Sequence, residues 1–189
     1  MTLTAEQVAA MSSRAKCLFD QKTVEATLAR LASEIEAELA DKNPIFLCVM
    51  NGSVIPMGQL LTRLHFPLQI DYIHATRYRG EMKGGELEWI AEPRIALKDR
   101  HVVLVEDILD TGLTLAALVN YCEKAGAKKV YTVALTDKDC ERAEDGVKKT
   151  DFTGLTLPNE FVIGYGLDYQ EYFRNLPGIY VLADEDLPG

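Results

Sequence analysis

The chain is short of the features that announce a secreted, membrane-bound or nucleic-acid-coating protein. Cysteine occurs four times in 189 residues, at Cys17, Cys48, Cys122 and Cys140, with no C-x-x-C pair. That spacing excludes an ordinary disulfide frame or zinc ribbon, and Cys48 and Cys122, set inside apolar stretches, read as reduced core thiols. Basic residues are scarce too: 20 Lys and Arg stand against 29 Asp and Glu, a net charge of −9. Non-specific binding to nucleic acid or to a membrane surface needs clustered positive charge, so the composition argues against both. An anionic substrate must instead be held by local groups against the average field, which gives a bridging cation a role. No apolar run approaches the roughly 18 residues of a membrane helix, and the N-terminal segment has no signal-peptide layout. Internal repeats and low-complexity linkers are absent. His65, His74 and His101 are scattered at no metal-ligand spacing and read as structural. What these absences leave is a cytoplasmic protein without a nucleic-acid or membrane partner.

The 48% hydrophobic content suits one globular domain with a sizeable core. Thr4 and Gln7 match a capping box, predicting a short helix from about Ala5 to Arg14. Val24, Leu28, Leu31, Ile35 and Leu39 recur at three- and four-residue intervals and predict a second helix, stopped by Asp41-Lys42-Asn43-Pro44. Ile45 to Met50 is a continuous apolar run, the pattern of a strand buried on both faces. The turn Asn51-Gly52-Ser53 follows, and Pro56 marks the start of a helix with Met57, Leu60, Leu61 and Leu64 on its apolar face. Leu68 to His74 and Glu86 to Ile90 alternate as strands. Between them runs Arg77-Tyr78-Arg79-Gly80-Glu81-Met82-Lys83-Gly84-Gly85, polar, basic and glycine-rich. It reads equally as a mobile loop that closes over a site and as a solvated hairpin tip. Further on, a helix is expected from Leu115 to Lys124 with Gly126 beyond its end, and strands at Val130 to Leu135, Phe161 to Gly164 and Gly178 to Leu182. Thr136 to Thr150 reads as a charged, irregular stretch. Strands alternating with helices imply a parallel sheet with right-handed crossovers. The expected sheet has strands near 45, 102, 130 and 161 plus the 68–90 arms, and the chain ends pack as a cap.

The stretch on which the chain turns is Val102 to Leu115. Val102 to Val105 is a buried strand by pattern, and Glu106 and Asp107 follow at its carboxyl end, where open α/β sheets bind ligands. Asp110, Thr111, Gly112 and Thr114 come next, just before a helix. A turn of small and hydroxylated residues there offers free backbone N–H groups and a partial positive charge, an anion cradle. The carboxylates suit sugar hydroxyls, a divalent metal or a proton. A receiver-type Mg²⁺ site also begins with paired acids after a strand, but it needs a lone Asp at the end of a neighbouring strand, and here that strand ends in Asn51-Gly52.

This segment resembles the phosphoribosyl-pyrophosphate motif of the type I phosphoribosyltransferases. Three others resemble the hypoxanthine-guanine branch of that family. Leu47 to Ser53 looks like its first loop, Leu135 to Lys138 like its strand-end lysine segment, and Phe161 to Tyr169 with Glu171 to Leu176 like its C-terminal signature. The resemblance spans about residues 20 to 182. It implies an α/β fold with a parallel twisted sheet flanked by helices, a small cap from the termini and a mobile β-arm loop. The whole of 1–189 is then one phosphoribosyltransferase domain, with a core of about 24–160 and a cap from the N-terminal segment and about 161–189.

The activity implied is purine salvage: transfer of 5-phosphoribosyl from phosphoribosyl pyrophosphate to hypoxanthine or guanine, giving IMP or GMP and pyrophosphate, with Mg²⁺. By the resemblance, Thr111, Gly112 and Thr114 cradle the 5′-phosphate, Glu106 and Asp107 hold the ribose hydroxyls, and Asp110 is the general base. Lys138 donates to the purine carbonyl, Phe161 stacks on the base and Val162 offers its backbone. Asp168 lies near the base, the metal and the pyrophosphate, binding the metal with substrate oxygens while Glu106 and Asp107 act on it indirectly. Asn51, Gly52 and Arg174 contact pyrophosphate. A homodimer or homotetramer is implied as well. Taken singly, Lys138 reads as a surface lysine, Phe161 as core, Arg174 as a structural ion pair and Asp168 as a turn residue; their joint order reverses that. The chain departs from the pattern in two places. Arg77-Tyr78 stands where many members carry Ser-Tyr in the mobile loop, and Asn51 stands where some have Lys. The alternatives are a non-catalytic sensor of phosphoribosyl pyrophosphate that binds nucleic acid, disfavoured by the charge and by Asp110, and a transferase that prefers xanthine.

Overall fold

The computed structural model describes residues 3–77 and 87–187. Tyr78 and most of the expected mobile loop lie outside them, and of Arg77 only the backbone is described. The elements run α1 (Ala5–Arg14), β1 (Lys16–Phe19), α2 (Gln21–Leu39), β2 (Ile45–Val49), α3 (Val54–Leu61), β3 (Gln69–Arg77), β4 (Leu87–Ala91), β5 (His101–Leu109), α4 (Leu113–Lys124), β6 (Lys129–Lys138), β7 (Phe152–Leu157), β8 (Val162–Ile163) and β9 (Ile179–Val181), then a 3₁₀ turn at Asp184–Asp186. Two sheets result. The larger has the order β4-β3-β2-β5-β6-β7, and the smaller is β1-β9-β8. In the larger sheet β2 pairs in parallel with β3 and β5, β5 with β6, and β6 with β7; only the β3–β4 hairpin is antiparallel.

Strand residues sort by parity onto two cores. Phe46, Cys48, Val103, Val105 and Val133 pack under α2 and α3, against Leu28, Leu31, Ile35, Met57 and Leu60. Ile45, Leu47, Val49, Val102 and Leu104 pack under α4, against Leu115, Leu118 and Cys122. β2 is buried along its length, as a continuous apolar run in a two-sided sheet requires. The caps are local: Thr4 and Gln7 form the capping box of α1, and Asp20 accepts from the backbone N–H of Thr23 to start α2. The small sheet holds its own core of Met11, Ile163, Tyr169, Phe173 and Leu182, which joins the N-terminal helix to the C-terminal segment.

Several expectations need correction. The strand near 161 does not enter the main sheet; Val162–Ile163 pairs with β9 in the small one. The edge beyond β6 is filled instead by β7, where the reading has no strand. Gly154 interrupts that segment's apolar pattern, yet a Cβ there would lie 2.0 Å from the carbonyl oxygen of Leu135, so the glycine is what lets β7 approach β6. Strand β1 also goes unread. Pro56 is the third residue of α3 and not its first, a position whose N–H needs no intrahelical partner. Strands β5 and β6 are longer than their apolar runs, reaching Leu109 and Lys138, so Glu106, Asp107 and Lys138 stand within strands. In β3 the face carrying Ile70 and Tyr72 is exposed, and Ile73 and Ala75 point to the core.

The direction of winding across the larger sheet reverses between the parallel strands β2 and β5. From β2 the chain winds outward to β3, and from β5 it winds the other way to β6 and β7. This is the topological switch point at which doubly wound sheets open a crevice. Its lips are Met50-Asn51-Gly52 and Glu106 to Gly112.

Candidate active site

Glu106 and Asp107 sit at the floor of the crevice, each only 9% exposed. Asp107 Oδ1 accepts from the N–H of Ile108 at 2.9 Å, and its carbonyl oxygen accepts from the Thr136 hydroxyl at 2.7 Å. Burial, and then the neighbouring Asp107 charge, push the Glu106 carboxyl well above its usual range. Burial raises Asp107 as well, opposed by its bonds to Glu106 and Ile108 and by the Arg174 charge. Two buried acids in contact cannot both ionise cheaply. The upward push is the larger at Glu106, and the two carboxyls together set closely spaced oxygens where a vicinal diol can be held.

Gly52 from the opposite lip lies directly on this pair. A Cβ at position 52 would fall 1.9 Å from Asp107 Oδ2. Beyond the carboxylates, Gly112 adopts φ +78°, ends the Asp110-Thr111-Gly112 turn and precedes the first residue of α4. No side chain caps that helix, so the N-terminal amides of α4 are open to an anion at the crevice. The turn is braced from behind by the segment after β6: Ala143 donates its N–H to Thr111 O at 3.1 Å, and Val147 donates to Gly112 O at 3.0 Å.

Two cavities meet here. One of about 320 Å³ is lined by Asn51, Gly52, Glu106, Asp107, Asp110, Thr111, Gly112, Thr114 and Arg174. The other, about 770 Å³, is lined by Asp107, Ile108, Asp110, Lys138, Phe161, Val162, Leu167, Asp168 and Tyr169 among others. Asp107, Ile108 and Asp110 belong to both. The structure thus brings together every predicted site residue whose side chain is described.

Lys138 ends β6 at the rim, opposite Leu157 of β7. Phe161 is 39% exposed and meets Tyr169 edge-on at 5.4 Å, so it is a wall of the larger cavity and not the core residue its composition suggests. Arg174 donates to Gly166 O at 2.8 Å and pairs with Asp168 at 2.8 Å and Glu171 at 3.0 Å while also lining the smaller cavity. Asp168 accepts from Glu171 N–H with its other oxygen. Between Tyr165 and Phe173 four non-glycine residues, Tyr165, Gln170, Glu171 and Phe173, take positive φ. Such conformations persist only where surrounding contacts impose them, and they gather at ligand sites. Among the described residues no cluster of three or more His, Cys, Asp or Glu side chains is placed to hold a metal by itself.

Residues 15–170 match the family model of the phosphoribosyl transferase domain. The chain belongs to the phosphoribosyltransferase family. Among its relatives, a hypoxanthine-guanine phosphoribosyltransferase of Lactococcus lactis is 37% identical over 90% of this chain and 92% of its own. A hypoxanthine-guanine-xanthine phosphoribosyltransferase of Tritrichomonas foetus is 34% identical over 92% of this chain and 94% of its own. Among solved structures, a hypoxanthine phosphoribosyltransferase from Staphylococcus aureus superposes with a TM-score of 0.88 at 27% identity, covering 95% of this chain and 98% of the other.

Within this phosphoribosyltransferase the sequence reading missed the brace behind the phosphate-type turn. Cys140, Arg142, Ala143 and Val147 lie in what reads as an irregular stretch, and their contacts are largely backbone. The one available signal was Gly146, where a Cβ would lie 2.2 Å from Thr111 O.

Proposed function

We propose that this chain is a purine salvage phosphoribosyltransferase that joins the 5-phosphoribosyl group of phosphoribosyl pyrophosphate to hypoxanthine or guanine, giving IMP or GMP and pyrophosphate. The observation that carries the reading is the junction of two cavities at Asp110. One is built of a helix-end anion cradle and a buried carboxyl pair, and the other has a lysine and an aromatic wall. In the transfer, a nitrogen of the purine five-membered ring forms a bond to the anomeric carbon. The bond from that carbon to the pyrophosphate oxygen breaks, and its electrons leave with pyrophosphate. The ring proton passes to Asp110, which stands between the two cavities.

Thr111, Gly112 and Thr114 hold the 5′-phosphate at the start of α4, and Glu106 with Asp107 holds the two ribose hydroxyls. Lys138 donates to the 6-carbonyl, which favours 6-oxopurines over adenine. Phe161 stacks on the base, and Val162 and Asp168 border its edge. Asn51, Gly52 and Arg174 face the pyrophosphate; with Asn in place of Lys, the Asn51 contact rests on backbone N–H groups. Mg²⁺ is usually held by one or two carboxylates together with waters and substrate phosphates. Asp168, held by Arg174 on the cavity wall and belonging to no three-residue acid cluster among the described residues, fits an ion that arrives with the substrate's oxygens. Its chemistry when bound is Lewis-acid stabilisation of charge on the departing pyrophosphate.

The relatives named above support the acceptor class, and the Tritrichomonas foetus relative's name makes xanthine one of the acceptors to test. The reading includes a cytoplasmic homodimer or homotetramer, and a single functional unit whose core spans about 24–160 under a cap from the N-terminal segment and about 161–189. Asp110→Asn tests it. The variant loses roughly 10²–10⁴-fold in kcat, the usual size of general acid–base catalysis, and keeps its affinity for phosphoribosyl pyrophosphate. Near-normal turnover removes Asp110 from the base role.

A further inference from the structure

The segment after β6 does more than brace the phosphate turn from behind. It also reaches the proposed base with a side chain. Cys140 Sγ lies 3.2 Å from Asp110 Oδ1, with the thiol as donor. The cysteine is itself held in place. Arg142 donates from Nη1 to Cys140 Sγ at 3.1 Å and to Lys138 O at 2.8 Å, and its Nη2 is ion-paired with Asp137. The backbone N–H of Cys140 donates to Lys138 O at 2.9 Å. The chain of contacts runs from Asp137 at the end of β6 through Arg142 and Cys140 to Asp110, and every member but Asp110 is anchored to one strand end. Asp110 itself is exposed, and among the described residues no other side chain hydrogen-bonds or ion-pairs with its carboxylate. Burial and the bond to Asp110 raise the thiol's proton affinity, so it remains a donor at neutral pH.

We propose that Cys140 is a positioning residue for the transfer reaction: its thiol, steered by Arg142, engages Asp110 Oδ1 and holds the carboxylate with Oδ2 available to the purine ring proton. An exposed aspartate otherwise samples several rotamers. Fixing one before the acceptor arrives removes that cost from the chemical step. The thiol is a weak donor, so the gain is modest, and it is specific to kcat. Donor-substrate binding depends on the backbone bonds of Ala143 and Val147 to the turn, which the thiol does not make. The inference rests on the reading of Asp110 as the base.

The test is a double-mutant cycle measured with saturating phosphoribosyl pyrophosphate, Mg²⁺ and hypoxanthine. Cys140→Ala lowers kcat by about 3- to 10-fold, the range of one ordinary hydrogen bond, while KM for phosphoribosyl pyrophosphate and the thermal midpoint stay at the wild-type values. Cys140→Ser, which keeps a donor, recovers most of the loss. In the Asp110→Asn background, Cys140→Ala has no further effect. The inference is overturned if Cys140→Ala leaves kcat unchanged, if Cys140→Ser is as damaged as Cys140→Ala, or if the loss is the same in both backgrounds. A rise in KM for phosphoribosyl pyrophosphate at unchanged kcat also overturns it, because that marks a structural part in the brace. Failure of the underlying reading shows separately, as near-normal turnover of Asp110→Asn alone.

Discussion

Adding one methyl group at Gly52 gives the sharpest mechanical test of the crevice. The new Cβ would stand 1.9 Å from Asp107 Oδ2, 2.4 Å from Cγ and 2.9 Å from Oδ1. Ordinary carbon–oxygen contacts exceed 3 Å, so one lip must retreat by about 1 Å. Asp107 has little room to do so: it is buried, and Oδ1 is tied to the Ile108 amide. The φ of Gly52 is not in the left-handed region, so the penalty is steric and comes from the carboxylate alone. Overpacking of this kind costs about 1–3 kcal/mol, which for a chain of this length is a fall in thermal midpoint of about 2–12 °C. Because the strain falls on Asp107, KM for phosphoribosyl pyrophosphate should rise in the protein that remains folded. Gly58, four residues into α3, is the internal control. It is exposed and a Cβ there meets nothing within 4 Å, so Gly58→Ala should stabilise by up to about 1 kcal/mol through helix propensity. Differential scanning calorimetry and steady-state kinetics on both variants suffice. Equal midpoints and equal KM values for Gly52→Ala and wild type would refute the close approach of the two lips.

The carboxyl pair has a pH signature. A folded-state pKa above the unfolded one means that the native protein binds more protons than the unfolded chain between the two values, so the Glu106 contribution is present at low pH and lost as pH rises through the raised value. Glu106→Gln imitates the protonated form and should flatten the decline of thermal midpoint with rising pH in the ligand-free protein; parallel curves for variant and wild type count against the raised Glu106 pKa. The thiols separate by burial. Cys48 and Cys122 are pushed up to about 12 by burial, whereas Cys17 is exposed. A thiol reagent at pH 8 should therefore label Cys17 in the native protein and reach Cys48 and Cys122 only after denaturation, which peptide mapping checks.

The parallel sheet was legible because its central strands are continuous apolar runs: Ile45 to Val49 and Val102 to Val105 admit no other reading once helices flank them. The residues lining the crevice were legible where they sit in compact motifs, as at Glu106 to Thr114. What escaped was set by backbone approach. Strand β7 hides behind Gly154, which looks like a breaker and is in fact a spacer against Leu135. Lys138 looked like part of a charged loop because strand β6 outlasts its apolar run on the strength of ladder bonds to β5 and β7. The placement of Val162–Ile163 in the small sheet depends on pairing with Ile179–Val181, a contact between segments that no local pattern encodes. Cys140 and Arg142 act through one another and through backbone groups, so neither has a periodicity to read.

The central claim is that the two joined cavities take phosphoribosyl pyrophosphate and a 6-oxopurine. Pyrophosphate release measured side by side with hypoxanthine, guanine, xanthine and adenine, at saturating phosphoribosyl pyrophosphate and Mg²⁺, tests it most directly. The expected result is release that depends on a 6-oxopurine, with adenine at background. No turnover with any of the four purines, or adenine used as well as hypoxanthine, would contradict it.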